Sequence, residues 1–179
     1  DQQDTSFPEL DVVREYIANK KKVRNRLAEE LITSVDTVKE IIQELTYGAQ
    51  LNRSPKRSIY KTCNGDKALL DRVCSNAWLK RLETTFKLAH NHLIGDNKDI
   101  VNAVGIKFEK EGKARELAHI LQGYERLVLD AIINHSNRED VALLVHDCVV
   151  FYNKQSTDEL SQIVEQETGL CLEFSEEKY

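Results

Sequence analysis

An α+β fold is predicted for this 179-residue chain by three observations. Apolar residues recur at helical spacing through most of the first ninety positions. A run of strand composition, VALLVHDCVVFY at 141–152, then interrupts the helical pattern, and a capping signature paired with a glycine brackets one more helix beyond it.

The elements follow in order. Ser6-Phe7-Pro8-Glu9 forms a capping box with proline in the first turn, and Leu10, Val13, Ile17, Leu27 and Leu31 follow at near-helical spacing. One long helix, or two joined ones, is expected there. Thr33-Ser34 caps a second helix whose Val38, Ile41, Ile42 and Leu45 make one stripe, ending at Gly48. Residues 50–66, with Pro55, Gly65 and the scattered charges Arg53, Lys56, Arg57 and Lys61, read as a solvated loop. A third helix is expected over 67–92, with Leu70, Val73, Trp78, Leu82, Phe86 and Leu93 on or near its buried side and Trp78 in the core rather than a stacking platform.

After the Gly95-Asp96-Asn97 break, residues 100–108 read as a short strand bent near Gly105, and 113–134 as a long helix. The run at 141–152 is bounded by polar residues on both sides and reads as two β arms with His146-Asp147 at their turn. Ser156-Thr157-Asp158-Glu159 starts the last helix, Gly169 ends it, and 170–174 alternates as an edge strand does. The organisation is therefore a helical region, 1–92, followed by a mixed region, 93–179, with no internal repeat and no Pro/Gly/Ser-rich linker.

Composition narrows the function classes. With 41% apolar and 31% charged residues and a net charge of −5, the chain has no bulk electrostatic drive towards nucleic acid, so any such site must be local. No apolar stretch approaches the roughly 20 residues that span a bilayer, and no signal peptide opens the chain, so a soluble, cytoplasmic protein is expected. Cys63, Cys74, Cys148 and Cys171 show no CxxC spacing, and reduced thiols are the default. The chain begins at Asp1 and contains no methionine, which points to a missing upstream segment.

The candidate chemistry centres on Asp147. A carboxylate inside an apolar run is costly to bury unless a cation repays it, and at a hairpin tip it is either a ligand or a structural residue closing the turn. On the second helix Lys39, Gln43 and Tyr47 are spaced by four and share one face, with Gly48 letting the backbone turn at once.

Three segments carry a resemblance. KEIIQELTYG (39–48) resembles the fingers helix, ARELAHILQGYERLVLDAI (114–132) the palm segment before the catalytic hairpin, and LLVHDCVVF (143–151) that hairpin itself, in the C-terminal fingers and palm of family A DNA polymerases and phage-type single-subunit RNA polymerases. The order of the three is the family's order, and the likeness spans 33–179. It implies a polymerase-like palm with helical fingers, and DNA-templated, Mg²⁺-dependent nucleotidyl transfer releasing pyrophosphate. By that likeness Asp147 binds Mg²⁺, His146 shapes the hairpin near the primer end, Lys39 meets the triphosphate, Tyr47 sits beside the nascent base pair with Gln43 and Gly48 near it, and His119 and Gln122 approach the minor groove of the primer-template. Gln122-Gly123 and the VVF after the His-Asp pair look closer to DNA polymerases, whereas Tyr47 is shared with RNA polymerases. The small size suggests a phage or mobile-element enzyme acting in the host cytoplasm, by analogy alone.

This sequence departs from the family in several places. Nothing before Lys39 resembles the strand bearing the second catalytic Asp, which an upstream segment or a second chain would have to supply. Val35 stands where a basic residue is common, Gln43 replaces an apolar or aromatic residue, and Cys148 follows Asp147. The alternative function is a non-catalytic nucleic-acid-binding or assembly module with a degenerate palm. The rival idea, a nucleophilic Cys148 with His146, is not taken as a Cys-His dyad. The run Lys20, Lys21, Lys22, Arg24 and Arg26 reads either as a phosphate-tracking patch or as the wet side of a helix followed by Glu29 and Glu30. His90 and His92, two apart on a helix, face different directions and do not read as a metal pair.

Overall fold

The computed structural model describes residues 10–94, 99–109, 113–145 and 148–176. These form a mixed helix-and-strand structure, mostly helical, with two small antiparallel sheets. The chain divides into two compact units, Asp1–Asn97 with Glu111–Leu117, and Lys98–Lys110 with Ala118–Tyr179.

In the first unit the opening helical segment is two helices, α1 (Asp11–Ala18) and α2 (Lys20–Leu31), joined at Asn19. The capping box Ser6-Phe7-Pro8-Glu9 lies outside the described residues. The buried face of α1 runs through Val12, with Val13 and Tyr16 packed on the core, so the stripe fails at Ile17, which is 64% exposed, while Val23, Leu27 and Leu31 of α2 are buried. The second expected helix is α3 (Val35–Thr46), and its causes are those in the sequence. The Ser34 hydroxyl accepts from Thr37 N–H, and Val38, Ile41, Ile42 and Leu45 are all buried. It closes through paired bonds from Gly48 N–H to Leu45 O and from Ala49 N–H to Glu44 O, a Schellman arrangement that needs the positive φ of +85° at Gly48.

The expected loop at 50–66 contains a short helix, α4 (Ser58–Thr62). Ile59 and Cys63, four residues apart, anchor it in the core at 0% and 1% exposure, so two apolar residues outweigh the surrounding charges. The expected third helix is likewise two, α5 (Lys67–Ser75) and α6 (Ala77–Ile94). Asn76 breaks it with an extended ψ of 124°, and its side-chain oxygen then accepts from Leu79 N–H at 3.1 Å to start α6. Leu93 is exposed and Ile94 is buried instead. Trp78 is partly buried against the core, its indole N–H bonded to Glu15 at 2.8 Å. The fully buried Leu27, Leu31, Ile41, Leu45, Ile59, Leu79 and Leu82 are where the unit's cohesion resides, at roughly 1.5–3 kcal/mol each on transfer from water.

The second unit is built on α7 (Lys113–His135), whose first turn belongs to the first unit. The stretch expected as one bent strand is a hairpin, β1 (Asp99–Val101) against β2 (Lys107–Glu109), turning through Gly105 at φ +81°. A second hairpin pairs β3 (Val141–Val145) with β4 (Cys148–Phe151), Val145 opposite Cys148, with an irregularity between Val141 and Leu143. The last helix, α8 (Thr157–Thr168), starts where Ser156 accepts from Glu159 N–H and stops at Gly169 with φ +71°. Ala131, Ile132 and Val164 form the buried centre, with Val149, Phe151 and Leu160 packed on it. Residues 170–174 are not a strand. Leu170 N–H is bonded to Thr168 Oγ1, and Leu170 and Phe174 pack on the same cluster. No helix among the described residues is long and apolar enough to cross a membrane.

Candidate functional site

Lys39, Gln43 and Tyr47 share one face of α3, as their spacing requires, and all three are exposed. Lys39 makes no ion pair among the described residues. Gln43, Tyr47 and Gly48 line an open cleft of about 510 Å³ together with Glu40, Glu44, Ala49, Ser58 and Thr62, from α3, its C-terminal turn and α4. Lys39 is not part of that lining, and no Lys or Arg is. Glu44 Oε1 accepts from Thr62 Oγ1 at 2.7 Å, while Glu44 Oε2 is enclosed without a hydrogen-bond partner among the described residues. The cleft is therefore acidic, which is the wrong sign for phosphate and the right one for a group rich in N–H or O–H donors.

Gly48 has a structural reason for being glycine besides its positive φ. A Cβ there would lie 2.9 Å from Cε1 of His90 on α6, whose ring bonds Thr46 O at 3.1 Å. His90 is buried and His92 is exposed, so the pair divides between core and surface.

In the second unit, His119 is half-buried, stacked on Phe108 at 4.8 Å between centroids and bonded to Ile106 O at 3.0 Å. These contacts tie α7 to the β1–β2 hairpin. Gln122 is exposed one turn further on. The glycine after it, Gly123, is buried against the hairpin turn, where a Cβ would come within 2.5 Å of Asn102 Cβ and 2.8 Å of Ala103 N. His119 and Gly123 thus have packing partners, whereas Gln122 is exposed.

His146 and Asp147, the residues between the paired Val145 and Cys148, lie outside the described residues. Among the described residues no three His, Cys, Asp or Glu side chains gather as a metal-binding group.

No protein-family model, curated protein or solved structure matches the chain. Its residues alone carry any functional reading.

Two groups of residues escaped the sequence reading. Glu44, Ser58 and Thr62 line the cleft; the Glu40/Glu44 four-residue step was legible, but the part of α4 required knowing that 58–62 is helical. Asn102 organises the β1–β2 turn, its side-chain oxygen accepting from Val104 N–H and Ile106 N–H. The Asn-x-x-Gly pattern from Asn102 to Gly105 was the available signal.

Proposed function

We propose that this chain carries the fingers-like and palm-like parts of a nucleic-acid-templated, Mg²⁺-dependent nucleotidyltransferase. The observation that supports this most is the β3–β4 hairpin: two antiparallel arms in a register with Val145 opposite Cys148, which leaves His146-Asp147 as their two-residue connection. It is joined by the common face of Lys39, Gln43 and Tyr47 on α3. In this reading Asp147 holds Mg²⁺, with a second carboxylate from an upstream segment or another chain; the metal, when bound, supplies positive charge at the reacting phosphate. Lys39 binds the triphosphate, Tyr47 and Gln43 flank base and sugar, and the exposed Gln122 meets the template-primer.

The acidity of the cleft beside Tyr47 favours a second reading, a non-catalytic nucleic-acid-binding or assembly module with a degenerate palm, since Glu40 and Glu44 oppose any phosphate placed there. Primer extension by the full-length gene product separates the two, with dNTPs and NTPs offered separately beside Asp147→Ala. Incorporation of one sugar type that vanishes in the variant is the expected result. Nucleic-acid binding without incorporation of either substrate establishes the second reading.

A further inference from the structure

The five cations of 20–26 do not act alike. Arg24 is half-buried, and its guanidinium is held by the Tyr16 hydroxyl through Nε at 2.8 Å and lies 5.4 Å over the Tyr16 ring, so it is a structural residue. Arg26 is paired with Glu15 at 3.0 Å and lies 3.7 Å from Glu30. Lys20, Lys21 and Lys22 are exposed and have no ion pair among the described residues. The acids that follow in sequence do not neutralise them. Glu30 is engaged by Asn76 Nδ2 at 2.9 Å and by Arg26, and Glu15 by the Trp78 indole. Only Glu29 shares the shallow groove, about 530 Å³, that Lys21, Lys22, Asn25 and Arg26 line. The first turn of α2 also contains no acidic residue, so three like charges are concentrated in one turn of a chain whose net charge is −5. No ion pair among the described residues offsets that local charge, as is common where a surface is kept for a ligand.

We propose that the basic first turn of α2, where Lys20, Lys21 and Lys22 fan out and Lys21 and Lys22 border the groove with Arg26, binds the phosphate backbone of a nucleic-acid strand. The inference rests on the polymerase or nucleic-acid-module reading and adds the surface that holds the strand. Lysines act here as point charges that displace condensed counterions, so the binding is insensitive to sequence and sensitive to salt.

The test is fluorescence anisotropy of a labelled single strand titrated with the chain across a range of KCl concentrations. The triple variant Lys20→Gln/Lys21→Gln/Lys22→Gln is compared with Lys67→Gln/Lys80→Gln/Lys87→Gln, which removes the same charge from other exposed positions of the same unit. The slope of log K against log salt should become shallower by about 2 in the first variant, at about 0.7 per lost contact, and stay unchanged in the second. Equal losses in both variants reduce the effect to net charge and overturn the proposal. So does an unchanged slope in the α2 variant, or binding to phosphatidylserine-containing vesicles with none to the oligonucleotide. Asp147→Ala should keep the wild-type slope. Strand binding with no primer extension from either dNTPs or NTPs overturns the polymerase reading and leaves the α2 surface standing, whereas an unchanged slope in the α2 variant does the reverse.

Discussion

Replacing Gly123 with alanine sets two effects of known sign against each other. Glycine inside a helix costs roughly 0.5–1 kcal/mol relative to alanine, so on propensity alone Gly123→Ala in the middle of α7 should stabilise. The new Cβ, however, would lie 2.5 Å from Asn102 Cβ, 2.7 Å from its Cγ and 2.8 Å from Ala103 N, where carbon atoms prefer about 3.5–4.0 Å. These neighbours cannot easily give. Asn102 is held by bonds from Val104 N–H at 3.2 Å and Ile106 N–H at 3.0 Å to its side chain, and by its own N–H to Ile106 O at 3.0 Å. Overpacking costs about 1–3 kcal/mol, and loosening the turn forfeits hydrogen bonds worth about 1 kcal/mol each. The clash wins, and a net loss of about 1–3 kcal/mol is expected. Urea unfolding followed by circular dichroism measures it, with hydrogen exchange at the Val104 and Ile106 amides reporting the turn. A midpoint that stays put or rises, with both amides still protected, would refute the reasoning. Gln122→Ala, at the exposed neighbouring position, should stay within about 0.5 kcal/mol, so its effect on template binding can be read separately from stability.

Ile32 ends α2 in the left-handed region at φ +51° although it is β-branched and 75% exposed. Ile32→Gly should therefore raise stability by about 1 kcal/mol in the same urea assay, because it relieves strain at little cost in burial. Gly48→Ala should lower it by about 1–3 kcal/mol, through its φ of +85° and the His90 ring 2.9 Å away. Burial, then Cys74, pushes the Cys63 thiol up to about 11 from 9.0, so its thiolate is about 100-fold scarcer below pH 9 than that of an ordinary thiol. Titration with an aromatic disulfide at mildly alkaline pH should find the exposed Cys148 and Cys171 fast and Cys63 slow. The unfolded chain releases the Cys63 proton first, so its contribution to stability is complete below pH 9 and is lost as pH rises towards 11. Glu15 has the opposite sign. Its bond from the Trp78 indole, aided by Arg26, holds its carboxyl below the usual range, so stability is lost as pH falls through that range. Trp78 fluorescence should report the loss, and Glu15→Gln should flatten the response.

Local rules were legible wherever one residue decides. Ser34 and Ser156 as caps, Gly48 and Gly169 as stops, and the Val38, Ile41, Ile42 and Leu45 stripe each follow from a neighbour within a turn. The sequence misled where a break lacks glycine or proline. Asn19 and Asn76 interrupt helices through backbone angles that their side chains tolerate, and at the helix ends the buried face passes beside Ile17 and Leu93 rather than through them, with Ile94 buried. Residues 58–62 were hidden for the opposite reason, since charge surrounds the two anchors Ile59 and Cys63. Of the candidate site, the α3 face and the Glu40/Glu44 step beside it were legible in the four-residue spacing, but the Ser58 and Thr62 side of the cleft was not. Lining depends on α4, and the packing of α4 on α3 is a long-range fact that no local pattern encodes.

The polarity of α3 decides which ligand its exposed side can take. Lys39, Gln43 and Tyr47 make one row and Glu40 and Glu44 the next, because adjacent residues are about 100° apart on a helix. From Lys39 to Tyr47 is eight residues, about 12 Å along the axis at 1.5 Å per residue. A polyanionic strand laid along this side would keep its phosphates beside two carboxylates over the whole length, each opposing at about 0.7 kcal/mol for charges about 6 Å apart in water. A single nucleotide avoids most of that repulsion by putting its phosphates at Lys39 and its N–H-bearing base towards Tyr47 and the cleft, where carboxylates accept rather than repel. In the proposed reading the strand needs a different cationic surface, and Lys20, Lys21 and Lys22 of α2, which have no ion pair among the described residues, would provide one. A small ligand on α3 and a polymer on α2 is the division of labour that the charges favour.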